Sequence, residues 1–122
     1  IDEHNGRVVK STGDGLLALF SMPSDGVGCA GEMRDELRTI DVEIRAGLHA
    51  GEVELHDDGD ISGVTVNLAA RVEQAADDGA VWVSSTVRDM MMGSDVAFAE
   101  TGEHTLKGID GSWRLFEVTA FD

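Results

Sequence analysis

Two stretches of this 122-residue chain hold residue types whose spacing could do chemistry. The first is Lys-Ser-Thr-Gly-Asp-Gly at 10–15, in which two glycines flank Asp14. Asp-Gly is a favoured hairpin turn because both residues tolerate positive φ, and that alone accounts for the stretch. The same tip could instead present a carboxylate beside glycines that leave room for an anion and its metal. A hard divalent cation such as Mg²⁺ suits one or two carboxylates plus substrate phosphates. The second stretch is Asp-Ile-Ser-Gly-Val-Thr-Val-Asn-Leu-Ala-Ala-Arg at 60–71. On a helix Asn67 and Arg71 stand one turn apart and project together. An amide able to orient a sugar oxygen then sits beside a guanidinium able to hold phosphate oxygens in a fork. The competing reading pairs Arg71 with Glu73, Asp77 or Asp78 on an acidic surface. Lys10 and Lys107 are the chain's two lysines, and their scarcity gives each weight as a specific contact.

Other clusters carry less. The loop Asp57-Asp58-Gly59-Asp60 has the acidity of a calcium loop, but its carboxylates do not alternate and Leu68 falls roughly where a bidentate glutamate belongs. His4, His49, His56 and His104 have no i, i+4 pairing and no cysteine partner, so structural or solvent-facing roles are the default for each. Ser84, Ser85 and the histidines show no nucleophile with its base. Met90, Met91 and Met92 read as a helix end packed on the core. Cys29 is the single cysteine, which excludes an internal disulfide. It reads as a small buried hydrophobe in a reducing, cytoplasmic setting.

The elements that must position these residues follow from periodicity. Gly6 to Thr12 and Leu16 to Phe20 read as a hairpin about the Gly-Asp-Gly turn. Val27, Ala30, Met33, Leu37 and Ile40 recur at three- and four-residue steps, an amphipathic helix capped by Ser24 or Asp25. Alternation from Val42 to Leu48 predicts a half-buried strand, with Val53 and Leu55 as its antiparallel partner. A polar loop, 56–63, leads to a helix over 64–76 in which Leu68, Val72 and Ala75 line one side and Asn67, Arg71 and Gln74 another. A short buried strand at 80–83, a short helix at 87–92 and strands around 98–106 and 113–118 complete an α+β chain, an antiparallel or mixed sheet with packed helices.

Composition bounds the function. At 42% hydrophobic residues the chain supports one domain, spanning 1–122, and no apolar run approaches the roughly 20 residues that cross a bilayer. Lys plus Arg number 9 against 24 Asp plus Glu, a net charge of -15 whose field repels DNA, RNA and anionic lipid. Such a field cannot attract a polyphosphate either; local cations would have to do so.

The motifs taken in order, Gly-Arg-Val-Val-Lys-Ser-Thr-Gly-Asp-Gly, Ile-Arg-Ala-Gly-Leu-His-Ala-Gly-Glu, the 60–71 stretch, Val-Trp-Val-Ser and Leu-Lys-Gly-Ile, span nearly the whole chain. Through them the sequence resembles the catalytic domain of class III nucleotidyl cyclases, which convert ATP or GTP into a 3′,5′-cyclic monophosphate. The resemblance implies a ferredoxin-like α+β fold and a homodimer with active sites at the subunit interface. It also implies two Mg²⁺ or Mn²⁺ ions per site, held by two aspartates of which Asp14 is one. Lys10 and Asp60 fall where adenylyl cyclases read the adenine ring, where guanylyl cyclases usually carry Glu and a small residue; the substrate implied is therefore ATP, released as cyclic AMP and pyrophosphate. Asn67 matches the residue that orients the ribose, Arg71 the one that stabilises charge on the α-phosphate, and Lys107 the lysine that holds the terminal phosphates.

Two departures accompany the match. The family's opening strand, with the second metal aspartate, is expected upstream of Ile1, so the domain is read as N-terminally incomplete. Ser62 and Ala70 stand where many relatives carry an aromatic residue and a serine. The alternative reading is a non-catalytic cyclase-homology module that binds nucleotide or dimerises and regulates an attached domain.

Overall fold

The computed structural model describes residues 4–12 and 15–121. β1 (Gly6–Thr12) and β2 (Gly15–Phe20) form the expected antiparallel hairpin, whose tip at Gly13 and Asp14 lies outside the described residues. Its register passes from Val8 opposite Ala18 to Lys10 opposite Leu17, so Val9 is the extra residue of a β-bulge.

α1 (Pro23–Arg38) begins with proline, whose missing N–H costs nothing in a first turn. The expected caps, Ser24 and Asp25, lie inside that turn; the N-cap is Met22, with no side-chain hydrogen bond. Val27 and Cys29 are buried, and burial pushes the Cys29 thiol pKa up, as befits a small hydrophobe.

The largest departure from the sequence reading follows. β3 (Ala46–Leu48) is three residues long and pairs in parallel with β6 (Val81–Ser84), Ala46 opposite Val81 and Leu48 opposite Val83. Val42 contributes nothing to it, because its N–H closes the C-terminal turn of α1 on the Leu37 carbonyl at 2.9 Å. Nor do residues 53–55 pair with it. β4 (Glu54–Leu55) instead pairs antiparallel with β5 (Ile61–Ser62), which lies within the expected polar loop, to form a small hairpin. Its turn is closed by His56 N–H to the Asp60 carbonyl and Gly59 N–H to the His56 carbonyl, both 2.9 Å. Gly59 has φ +89°, which glycine adopts without strain.

α2 (Val64–Ala75) makes the crossover from β3 to β6 that a parallel pair requires. Gly47 in β3 lets it lie directly on the strand, since a Cβ there would collide with the backbone of Glu73. α3 (Ser85–Met90) is capped by the Ser84 side chain, and β7 (Ala97–Thr105) with β8 (Ser112–Ala120) completes a mixed sheet of order β3-β6-β8-β7. The α+β class stands as read from the sequence.

Alternation along the central strands divides the core between the sheet's two faces. Val81, Val83, Phe116 and Val118 pack with Val27, Val87 and Met91. Trp82 and Leu115 pack on the other face with Leu68, Val72 and Leu106. Of the methionine run only Met91 joins the core; Met90 and Met92 are 59% and 78% exposed, contrary to the expected packed helix end.

Candidate active site

α2 is amphipathic across its axis. Leu68 and Val72 are 1% and 0% exposed, and burying such side chains contributes about 1.5–3 kcal/mol each. That anchoring turns the opposite face outward, where Asn67, Ala70, Arg71 and Gln74 line a pocket of about 300 Å³. Lys107, Gly108 and Ile109, from the turn between β7 and β8, form its other wall. The turn is fixed by buried Leu106, whose carbonyl accepts the Ile109 N–H at 3.1 Å. Asn67, Arg71 and Lys107, selected from the sequence across a span of forty residues, therefore border one cavity.

The cations are distributed unevenly. Lys10, Arg34, Arg38, Arg45, Arg88 and Arg114 each sit against a carboxylate. Among the described residues Arg7, Arg71 and Lys107 do not. Arg71 Nη1 donates to Gln74 Oε1 at 2.7 Å, and the anticipated competitors Glu73, Asp77 and Asp78 leave it alone. Gln74 was visible in the sequence only as a neighbour on the polar face; its i, i+3 spacing from Arg71 is the signal that gives it the task of holding the guanidinium.

The second arrangement joins the two hairpins. Lys10 Nζ donates to Asp60 Oδ2 at 3.1 Å, bringing together residues fifty positions apart. Asp60 Oδ1 accepts the Ile61 N–H at 2.8 Å, and the Asp60 N–H donates to Asp58 Oδ1 at 2.9 Å. The Lys10 ammonium, then the Ile61 amide, hold the Asp60 carboxyl below the usual carboxylate range. Lys10 and Asp60 are not among the residues that line the α2 pocket.

The histidines scatter, and among the described residues no group of three His, Cys, Asp or Glu side chains could hold a metal ion. His4 meets Glu32, His56 meets Ser62 and His104 meets Thr101. His49, half-buried, sits 2.6 Å from Ser84 Oγ and edge-on to Trp113; desolvation lowers its pKa and keeps the ring neutral at neutral pH, a structural role. Asp14, the residue singled out for metal, lies outside the described residues.

The mixed sheet with its crossover helix is the fold of solved adenylate/guanylate cyclase domains. The solved adenylate/guanylate cyclase/hydrolase of Silicibacter pomeroyi superposes with a TM-score of 0.88 at 31% identity, covering 97% of this chain and 73% of that one. The sequence profile of the adenylate and guanylate cyclase catalytic domain matches residues 1–119, and the chain belongs to that family. A Rhizobium meliloti (strain 1021) protein provisionally named adenylate cyclase 3 is 33% identical over 116 residues, 88% of this chain and 20% of the relative. An uncharacterized protein of Mycobacterium tuberculosis (strain H37Rv) is 37% identical over 115 residues, 93% of this chain and 30% of that protein. The chain thus spans less than two fifths of the length of either relative. Domains of this family generally use divalent metals. Among the described residues no helix is long and apolar enough to cross a membrane.

Proposed function

We propose that this domain is an adenylyl cyclase: it closes ATP to 3′,5′-cyclic AMP and releases pyrophosphate, working as a homodimer with sites at the subunit interface. The observation that carries the reading is the pocket on α2. In a chain of charge -15, two of the three cations that have no carboxylate partner among the described residues, Arg71 and Lys107, border the same cavity as Asn67. Free cations side by side within an acidic protein suit a polyanion.

The roles follow from the groups. Lys107 binds the terminal phosphates, which leave as pyrophosphate. Asn67 orients the ribose so that its 3′-oxygen lies in line with the α-phosphorus, and positioning alone is a large part of such a barrier. Arg71, held by Gln74, stabilises the charge that develops on the α-phosphate as the new P–O bond forms and the bond to the leaving phosphate breaks. Lys10 donates to a ring nitrogen of adenine and Asp60 accepts from its exocyclic amine; guanine presents a carbonyl at that position and would be repelled by the carboxylate. Bound divalent metal, with Asp14 among its ligands, would lower the pKa of the 3′-hydroxyl.

The test is turnover of ATP and of GTP by the intact protein with Mn²⁺, products separated by chromatography. Cyclic AMP from ATP and little cyclic GMP is the expected result. Equal rates would remove Lys10 and Asp60 from base selection. Nucleotide binding without either product would make the domain a binding module. Mixing Asp14→Ala with Asn67→Ala chains should restore activity in the mixed dimer, and a dead heterodimer of proven composition would contradict shared sites.

A further inference from the structure

Arg7 is the third cation with no carboxylate partner among the described residues, and its partner is informative. Its Nη1 donates to the Gly59 carbonyl at 3.1 Å, in the turn that presents Asp60. Arg7 and Lys10 are three apart on β1, a spacing that in a regular strand points side chains to opposite faces. The bulge at Val9 corrects this. Arg7 lies opposite Leu19 and Lys10 opposite Leu17, and residues two apart on β2 share a face. Both side chains consequently reach the same turn, at consecutive residues: Arg7 takes the main-chain carbonyl of Gly59 and Lys10 the carboxylate of Asp60. Among the described residues the turn's other side-chain tie to β1 is Lys10, the group that adenine itself must engage.

We propose that Arg7 is a positioning residue for nucleotide selection: with the Val9 bulge, it fixes the 56–60 turn on β1 so that Asp60 keeps its place when Lys10 turns to the base. This rests on the adenine-reading role of Lys10 and Asp60. When the purine inserts, the Lys10–Asp60 contact is exchanged for contacts to the ring, and the Arg7 bond to a main-chain carbonyl survives the exchange because it uses neither reading group. Arg7 thus acts through Asp60, on selectivity and apparent ATP affinity, and touches no reacting atom.

The experiment is a double-mutant cycle on the intact protein, reading kcat and KM for ATP and GTP with Mn²⁺, and the dissociation constants of fluorescent ATP and GTP analogues. Arg7→Ala should raise KM for ATP and lower the ATP-over-GTP preference about tenfold, the scale of one charge-assisted hydrogen bond discounted for exposure, with kcat changed far less. Arg7→Lys should recover part of the preference, since it keeps a donor within reach. In an Asp60→Ala background, Arg7→Ala should have no further effect on selectivity. Additive losses, or unchanged selectivity in Arg7→Ala while Asp60→Ala abolishes it, would overturn the inference and leave the base-reading assignment standing. Unchanged selectivity in Asp60→Ala alone would overturn the base-reading assignment itself. A fall in kcat equal for both nucleotides would mark Arg7 as merely structural and likewise overturn the inference.

Discussion

The α2 pocket and the Lys10–Asp60 corner are built in opposite ways. Asn67 and Arg71 ride on a helix whose other face is sealed into the core by Leu68 and Val72, and Lys107 follows directly on buried Leu106. Lys10 and Asp60 stand on two hairpins with half-exposed side chains, joined by polar links alone. Packing in a dense interior holds geometry to fractions of an ångström, whereas exposed ion pairs hold it weakly and yield to competitors. The division suits the chemistry proposed. Groups that must meet a reacting phosphate need fixed placement, and groups that must open to admit a base need a partner they can surrender.

The largest effect should therefore come from the rigid side. Arg71→Ala is expected to lower kcat by about two to three orders of magnitude, the scale for removing one preorganised charge stabiliser. Gln74→Ala should reproduce a fraction of that loss by freeing the guanidinium. Steady-state kinetics on both variants checks it; a KM effect at constant kcat would move Arg71 from the reacting phosphate to ground-state binding. Next is the anchor beneath. Leu68→Ala should cost about 2–5 kcal/mol of stability, because a buried leucine leaves a cavity the neighbouring strands cannot fill. Denaturant unfolding measures it, and a negligible loss would mean that α2 is not held by its apolar face.

How much of this was legible in the sequence differs between the same two regions. The face of α2 could be read because Leu68, Val72, Asn67, Arg71 and Gln74 obey one helical period over an uninterrupted run. The strand expected at 42–48 failed because its alternation is real but its first half is claimed by the end of α1, where Val42 closes a turn on Leu37 and Asp41 takes φ +61°. Two-residue strands such as β4 and β5 are too short to show any period, so β4 was read as a strand with the wrong partner and β5 as loop. The contact between Lys10 and Asp60 lies outside what spacing can reveal, since it joins separate hairpins. Arg7 was hidden by the bulge: strict alternation places it on the face away from Lys10, and only the observed register puts the two together.

The exposed corner predicts subtler behaviour, in its titration. Lys10 lowers the Asp60 pKa, so the sign is that of a depressed carboxyl: the pair is fully formed above the ordinary aspartate pKa of about 3.9, and is lost only as pH falls through the lower folded value. Carboxyl-carbon NMR should show Asp60 titrating below the ordinary range, and Lys10→Met should return the midpoint toward it. An unshifted Asp60 in the unmutated protein would mean that the ion pair is not populated in solution, and would weaken the contrast between the two regions.

The smallest effect is expected at an ion pair with the geometry of the corner but no ligand to serve. Arg114 Nε donates to Glu100 Oε1 at 3.0 Å between β7 and β8, with both side chains about half exposed, and the Arg114 guanidinium holds the Glu100 carboxyl below its ordinary range. Arg114 also lies over the Phe116 ring, 5.6 Å from its centre. The pair bridges two strands already joined by nine-residue backbone ladders, so it orders nothing that the sheet leaves free. Arg114→Met should keep the apolar contact with the ring, let Glu100 titrate higher, closer to its ordinary value, and leave the thermal midpoint and the ATP-over-GTP preference where they were. A changed nucleotide preference would show that a cross-strand ion pair on β7 and β8 bears on selection, and the separation between a rigid phosphate region and an exchangeable base-reading corner would have to be redrawn.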